Sequence, residues 1–289
     1  MDARLDTLAT ADGARLAFRA WEAPRPRAQL LVSHGLGEHG GRYAELARAL
    51  AERGISVHAL DHRGHGRSPG ARGHVDRFAR LVSDFDAFRA AVTPAAPVPR
   101  FLLGHSLGGL VAIRHLQAHP EAAWAGVVLS APLLGIAVRA PRWKTAISGV
   151  LSRVLPRLPF HNEIALDALS SEPGYEAAYR ADPLLHQTIT PRMYTEMGVA
   201  MREARAGGRL PQPLLVIAPG ADTVADPAAV TAWAAEQGAE VRRYDGFRHE
   251  ALNERGRGRV LADVVAWIEA RLAACTARLA AGGGTPLAH

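Results

Sequence analysis

The chain has 289 residues, 48% of them apolar and 6% aromatic, with 34 basic against 28 acidic side chains and a formal charge of +6 at pH 7. That is enough chain for one large α/β domain, or one domain with an insertion, and enough apolar content for a substantial core. Arginine carries almost all the positive charge, Lys144 being the only lysine, and no recognition motif accompanies it; this argues against a nucleic-acid partner and leaves a weak attraction to anionic membrane surfaces.

The N-terminus, Met1-Asp2-Ala3-Arg4-Leu5-Asp6, carries early acids and no apolar leader. The most apolar stretch, 123–138, is interrupted by Ser130, Pro132 and Gly135, and the lone Cys275 excludes an internal disulfide. A cytoplasmic protein is the expectation.

Segments 5–10 and 16–21 flank Asp12-Gly13, a turn signal, so the chain is expected to open with an antiparallel hairpin closed by Pro24-Arg25-Pro26. Leu30-Leu31-Val32-Ser33 reads as a buried strand, followed by a Gly-rich loop and a helix over about 43–53 with Leu46 and Leu50 spaced by four. Residues 55–60 form the next strand, and a helix over about 78–92 carries Leu81, Phe85, Phe88 and Val92 on one face before Pro94 and Pro97. Phe101-Leu102-Leu103 is a further buried strand; the period then switches at Ser106, and Leu107, Leu110, Val111 and His115 or Leu116 recur at helical spacing to His119-Pro120.

After the strand Val127-Val128-Leu129 the rhythm stops. From Pro132 to about Leu210 no strand is predicted; Ile147, Val150, Leu151, Val154 and Leu155 form an apolar stripe ended by Pro156, and Pro159, Pro173, Pro183 and Pro191 punctuate the rest into short helices. This reads as a helical cap, 135–210, inserted into a core of 1–134 and 211–281. The rhythm resumes with Leu214-Leu215-Val216-Ile217, a turn at Pro219-Gly220, a helix over 227–237, a strand over 240–244 and a final helix from Val260 to about Ala281, with Cys275 as a core thiol. Gly282-Gly283-Gly284 opens a tail over 282–289.

Gly104-His105-Ser106-Leu107-Gly108 sits where strand changes to helix, the context of a nucleophile elbow: glycines on either side let strand and helix approach around a strained serine, and the helix N-terminus favours an anion beside it. The chain supplies its own control. Gly66-Arg67-Ser68-Pro69-Gly70 has the same pattern, but it follows a Gly-rich run and Pro69 has no N–H to offer, so Ser68 reads as part of a turn. The loop from His34 lacks the G-K-[ST] ending of a phosphate cradle, and His34, Glu38 and His39 lack zinc-helix spacing; it reads instead as an oxyanion loop, with the backbone amides of Leu36 and Leu107 as donors. No cysteine or paired acid joins His58, His62 and His65 into a metal site.

Of thirteen histidines, His289 falls in the tail, His161 and His186 in the cap and His119 beside a helix-ending proline, whereas His249 follows the last strand in a loop. It is the expected general base. Asp222 lies nearest the end of its strand and is the expected acid, in competition with Asp226 and Asp245. In open α/β sheets reacting groups gather at the carboxyl ends of strands. Such a base takes the serine proton, while the acid fixes its tautomer and stabilises the imidazolium.

His34-Gly-Leu-Gly-Glu-His-Gly-Gly-Arg-Tyr43, Asp61-His-Arg-Gly-His-Gly-Arg-Ser68, Gly104-His-Ser-Leu-Gly-Gly109 and the His249-Glu250 ending resemble the monoacylglycerol lipase and lysophospholipase group of α/β-hydrolases, also grouped as serine-aminopeptidase-like, over residues 5–272. The resemblance implies an α/β-hydrolase fold, with a mostly parallel sheet, helices on both faces and an inserted helical cap. It further implies hydrolysis of a single-acyl lipid ester through an acyl-enzyme, with no cofactor, and an apolar acyl site under the cap; the residue pattern itself offers no metal site, and it makes Ile147 and Leu151 of the cap stripe, with Trp143 beside them, the candidates to line the acyl site. Ala218-Pro219 stands where the family commonly has His-Gly or Gln-Gly before the acid. The cap stripe either lines the acyl site or packs the cap onto the domain below, and Arg139, Arg142, Lys144, Arg153 and Arg157 around it suit a lipid–water interface. One triad serves several acyl transfers, so an aminopeptidase or amidase is the alternative, with Glu163, Glu172, Glu176 or Glu196 as an anchor for the substrate amine. A non-catalytic binding module would leave the elbow, acid and base unexplained.

Overall fold

The computed structural model of the chain describes residues 2–94, 96–137 and 142–280, with backbone alone at 142–146 and 278–280. The Asp12-Gly13 turn joins β1 (Arg4–Ala9) to β2 (Arg15–Trp21), an antiparallel pair with Leu8 opposite Leu16. β3 (Ala28–Ser33), β4 (Ile55–Leu60), β5 (Arg100–His105), β6 (Gly126–Ser130), β9 (Leu214–Pro219) and β10 (Glu240–Tyr244) complete an eight-stranded sheet in the order β1-β2-β4-β3-β5-β6-β9-β10. β2 runs antiparallel to β4, and every later pairing is parallel. β3, β4 and β6 are buried from end to end, the reason their sequences read as unbroken apolar runs rather than alternations.

Alternate residues of these strands feed two cores. Leu31, Leu60, Leu102, Leu129 and Val216 face α2 (Phe78–Ala91), α3 (Leu107–Ala118) and α8 (Pro227–Gln237). Leu30, Val32, Val57, Leu103, Val128 and Ile217 face α1 (Ala44–Ala51) and α9 (Gly258–Ala280), and Cys275 packs half-buried against this second core.

Between β6 and β9 lie α4 (Arg142–Val154), α5 (Leu166–Leu169), α6 (Tyr175–Ala181) and α7 (Pro191–Ala206), with β7 (Phe160–His161) paired antiparallel to β8 (Thr188–Ile189). Two features here depart from the sequence expectation. A two-residue ladder replaces an all-helical run, because strands this short carry no readable period. And Pro191, expected to break a helix, begins one of sixteen residues: it occupies the first helical turn, where its missing N–H is no loss, while the Thr190 hydroxyl accepts from the Met193 amide at 3.3 Å. Met193, Met197, Ala200, Met201 and Ala204 of α7 enter the same core as α2 and α3. Among the described residues no helix is long and apolar enough to cross a membrane. The tail over 282–289, with Ala281, lies outside the described residues, as does Arg139.

Candidate active site

Ser106 occupies the single-residue turn between β5 and α3 with φ 50° and ψ −116°, a left-handed conformation unusual for a side-chain-bearing residue. Close packing imposes it. A Cβ on Gly108 would stand 2.0 Å from the Ser33 carbonyl oxygen, and one on Gly104 would stand 2.7 Å from the Gly108 carbonyl oxygen, so both flanking positions require glycine. The Ser106 amide donates to the Ser130 carbonyl at 3.0 Å, and its own carbonyl accepts from Leu110 at 3.1 Å and Leu133 at 3.0 Å, which anchors the turn on three sides.

The loop after β10 brings His249 to this serine. Its Nε2 lies 2.9 Å from Ser106 Oγ and its Nδ1 lies 2.8 Å from Asp222 Oδ2. The other Asp222 oxygen accepts from the amides of Val224 (2.8 Å) and Ala225 (3.1 Å), which fixes the carboxylate on the turn after β9. All three side chains are buried. Burial alone pushes the His249 imidazole down, but the Asp222 charge and hydrogen bond, with Glu250 and Glu38 behind it, carry its pKa above the ordinary histidine value. The competing carboxylates are elsewhere: Asp226 caps α8 through the amides of Ala228 and Ala229, and Asp245 pairs with Arg243 on the surface. Ala218-Pro219 continues β9, and the turn beyond it is held by Gly220 N–H to Tyr244 O (2.8 Å) and Ala221 N–H to Phe247 O (2.9 Å).

The second elbow-like motif has a different use. The Ser68 hydroxyl is buried, accepts from the Ala17 amide at 2.9 Å and donates to the Asp61 carbonyl, so it ties the loop after β4 to β2.

Gly35 of the loop after β3 lies against Ser106; a Cβ there would stand 3.4 Å from Ser106 Cβ. The backbone amides of Leu36 and Leu107 donate to no backbone carbonyl among the described residues. The loop itself is held by side chains. His34 Nδ1 donates to the Gly35 carbonyl at 2.7 Å, which leaves Nε2 as the acceptor of the His62 amide at 2.9 Å. Burial holds this imidazole neutral, its pKa lowered to about 4. Glu38 Oε1 accepts from the Gly35 amide (2.6 Å) and the Tyr43 hydroxyl (2.9 Å).

A buried charged strap joins that loop to the loop of the imidazole. Arg42, one turn after Glu38, reaches Glu38 Oε2 at 3.3 Å and clasps Glu250 through two parallel hydrogen bonds of 2.7 Å. Its guanidinium also donates to the Tyr175 hydroxyl at 3.2 Å. Burial by itself pushes the Glu38 carboxyl up; Arg42, His105, the Gly35 amide and Tyr43 outweigh it and hold the pKa below the ordinary value. In the sequence Arg42 and Glu250 stand out only as motif letters, and Glu38 only as a motif letter beside His34 and His39. The i,i+4 spacing of Glu38 and Arg42 was the available signal, whereas Glu250 is 208 residues away from its partner and nothing local reveals it.

Of the cap residues expected to bind substrate, Ile147 is 48% exposed and Leu151 half-buried, while the Trp143 side chain, with those of Arg142 and Lys144, lies outside the described residues. α4 rests on α7 through Ser152, whose hydroxyl lies 2.8 Å from that of Thr195.

A mostly parallel sheet of this order, with a strained serine at the turn from β5 into α3, defines the class: the chain is an α/β-hydrolase, a serine hydrolase enzyme. Residues 24–256 match the family described as serine aminopeptidase, S33, and the chain belongs to that family. It is 33% identical over 269 residues to a monoacylglycerol lipase of Mycolicibacterium smegmatis, covering 90% of this chain and 95% of the relative. It is 37% identical over 227 residues to a monoglyceride lipase of Homo sapiens, covering 77% and 74%. The crystal structure of a Paleococcus ferrophilus monoacylglycerol lipase superposes with a TM-score of 0.79 at 28% identity, covering 94% of this chain and all of that one.

Proposed function

We propose that this chain is a carboxylic ester hydrolase that cleaves a single-acyl lipid ester, a monoacylglycerol or lysophospholipid, through an acyl-enzyme on Ser106. The observation that carries the reading is the buried relay Ser106–His249–Asp222 with contacts of 2.9 and 2.8 Å. His249 Nε2 takes the Ser106 proton as Oγ attacks the ester carbonyl, Asp222 stabilises the imidazolium, and the proton passes to the leaving alcohol; water then attacks the acyl-enzyme by the same route in reverse. The amides of Leu36 and Leu107 stabilise the oxyanion formed in both halves. No group in this scheme requires a cofactor or metal.

Support for a lipid ester over a peptide comes from the names of the relatives and from how the cap acids are used. Glu176 pairs with Arg180, Glu172 with Arg257, and Glu196 accepts from the Phe78 amide beside Arg192, so these acids already have partners and do not stand ready as amine anchors. Segment 135–210 serves as the cap over a core of 1–134 and 211–281; the amides of His249 and Glu250 donate to the carbonyls of Ala168 and Leu169, which ties this segment to the reacting imidazole. Ile147, Val150, Val154 and Leu155 present an exposed apolar face on and just after α4, with Arg153 beside them, and this face meets the surface of an anionic membrane without spanning it. Leu151, half-buried behind it, contributes to the acyl site.

The test is kcat/KM across monoacylglycerols from C4 to C18 below their aggregation limits, for wild type and Leu151→Ala. Each buried CH₂ contributes roughly 0.8 kcal/mol, so the constant should climb several-fold per added CH₂ until the site fills. A flat profile, or faster cleavage of aminoacyl amides than of any ester, rejects the lipid reading in favour of the peptidase.

A further inference from the structure

The far end of α3 carries a second cluster that the hydrolytic chemistry does not use. His115 lies nine residues beyond Ser106, roughly 14 Å along the helix. It is completely buried, and neither of its ring nitrogens has a hydrogen-bond partner among the described residues. Its ring stands edge-on to Phe85 (5.1 Å between centroids) and Trp124 (5.9 Å), a setting that an apolar ring would fill without orphaning two nitrogens. One turn on, His119 at the end of α3 brings its ring to 5.0 Å from that of His115. Asp86 projects from α2 into the same space. One ligand atom from each of Asp86, His115 and His119 lies within 4.8 Å of the other two.

We propose that Asp86, His115 and His119 bind one divalent transition-metal cation, Zn²⁺ above all, which staples α2 to the C-terminal end of α3. Two imidazoles and a carboxylate are an N₂O donor set that suits Zn²⁺, Co²⁺ and Ni²⁺ and does not suit Ca²⁺ or Mg²⁺. Metal bonds of about 2.1 Å need the donors drawn together by about an ångström. The two donors that must move are the partly exposed ones, Asp86 and His119, both with 32% side-chain exposure, whereas His115 is fixed by its aromatic neighbours. Glu121 Oε1 lies 3.3 Å from His119 Nδ1, which leaves Nε2 as the nitrogen to ligate, the usual arrangement of a metal-binding histidine with a carboxylate behind it. Arg89 opposes the site: its guanidinium holds Asp86 Oδ1 at 2.9 Å and repels a cation. The distance from Ser106 makes the role structural and separate from hydrolysis.

The test is titration of the chelator-stripped, full-length enzyme with Co²⁺, read by its visible d–d absorption, with Zn²⁺ as competitor. One equivalent should bind. Asp86→Asn and His119→Gln, both at partly exposed positions, should each weaken binding by about tenfold or more. His115→Phe, which fits the slot between Phe85 and Trp124, should abolish binding while the metal-free melting temperature holds or rises. Arg89→Met should tighten it. Zn²⁺ at about a hundred times its dissociation constant should raise the wild-type melting temperature by roughly 4 °C and leave turnover of a soluble p-nitrophenyl ester unchanged. Binding weaker than about 1 mM would overturn the proposal, as would affinity indifferent to Asp86→Asn or His115→Phe, which would mark His119 as an adventitious surface ligand.

Discussion

Replacing Arg42 with methionine removes one cation from between two carboxylates with side-chain exposures of 4% and 6%, Glu38 and Glu250. Methionine keeps most of the volume, so the loss is electrostatic. Removing one partner from a buried ion pair typically costs ~3–5 kcal/mol, because the remaining charge stays desolvated without compensation. With an unfolding entropy of roughly 0.6 kcal/mol per degree for a chain of this length, Arg42→Met should lower the melting temperature by about 5–8 °C near pH 8. The deficit should depend on pH with a definite sign. In wild type the lowered Glu38 pKa contributes stability that is present above the unfolded carboxyl value and lost as pH falls through the folded one. Without Arg42 only His105, the Gly35 amide and the Tyr43 hydroxyl oppose the burial of Glu38, so its folded pKa rises and the stability that its ionised form contributes at high pH shrinks. The gap between variant and wild type should therefore be small near pH 4 and widest at pH 8, measured by urea or thermal unfolding at each pH. Because Glu38 also holds the Gly35 amide against Ser106, kcat should drop by up to ~10². Arg42→Lys, which keeps the charge but not the two parallel bonds, should recover part of each loss. A gap below about 1 kcal/mol, or one that does not change with pH, would refute the reasoning.

Ser106→Ala should lose fluorophosphonate labelling and ~10⁶ of kcat, whereas Ser68→Ala should keep its labelling and instead lose ~1–3 kcal/mol of stability by orphaning the buried Ala17 amide. The logarithm of kcat/KM plotted against pH should fall on the acid side through a value above 6.5, because His249 must be neutral to accept the serine proton and Asp222 holds its pKa up. Asp222→Asn should move that midpoint down and cost ~10⁴ in kcat with little change in melting temperature, while Asp226→Asn should affect only the cap of α8. Gly108→Ala places a methyl 2.0 Å from a backbone carbonyl oxygen of β3, so α3 must shift; folded yield and Ser106 labelling should both collapse, with ~4 kcal/mol or more lost in unfolding experiments. Val154→Asp, at a 68% exposed position, should weaken sedimentation with anionic vesicles and leave hydrolysis of a soluble short-chain ester intact.

Much of the frame was legible in the chain because local rules and tertiary demands agree there. Strands such as Ala28–Ser33 and Ile55–Leu60 read as strands since both their faces are covered, and the Asp12-Gly13 turn sets a hairpin register that nothing distant contests. Ser106, Asp222 and His249 stand out for a related reason: each lies in the turn or loop that follows a strand of the parallel sheet, and a parallel sheet delivers its strand ends to one edge, where the structure brings the three together. The middle of the chain was less legible. Proline has opposite meanings at the start and in the interior of a helix, and Pro191 can be assigned only once Thr190 is seen to cap α7. Two-residue strands have no period at all.

Short-range physics controls the alternation of strand and helix, the glycines that permit a strained serine, and the chain order of serine, acid and base, and these are settled by the sequence alone. Only the folded chain settles the partnerships between charged and polar groups far apart in sequence. Glu250 meeting Arg42, Glu196 meeting the Phe78 amide, Ser68 meeting Ala17 and Asp86 approaching His115 leave no trace in local pattern. A buried polar group must find a partner to offset its desolvation, yet that requirement does not specify where along the chain the partner lies. The fold makes that choice, by deciding which loops arrive at the same end of the sheet.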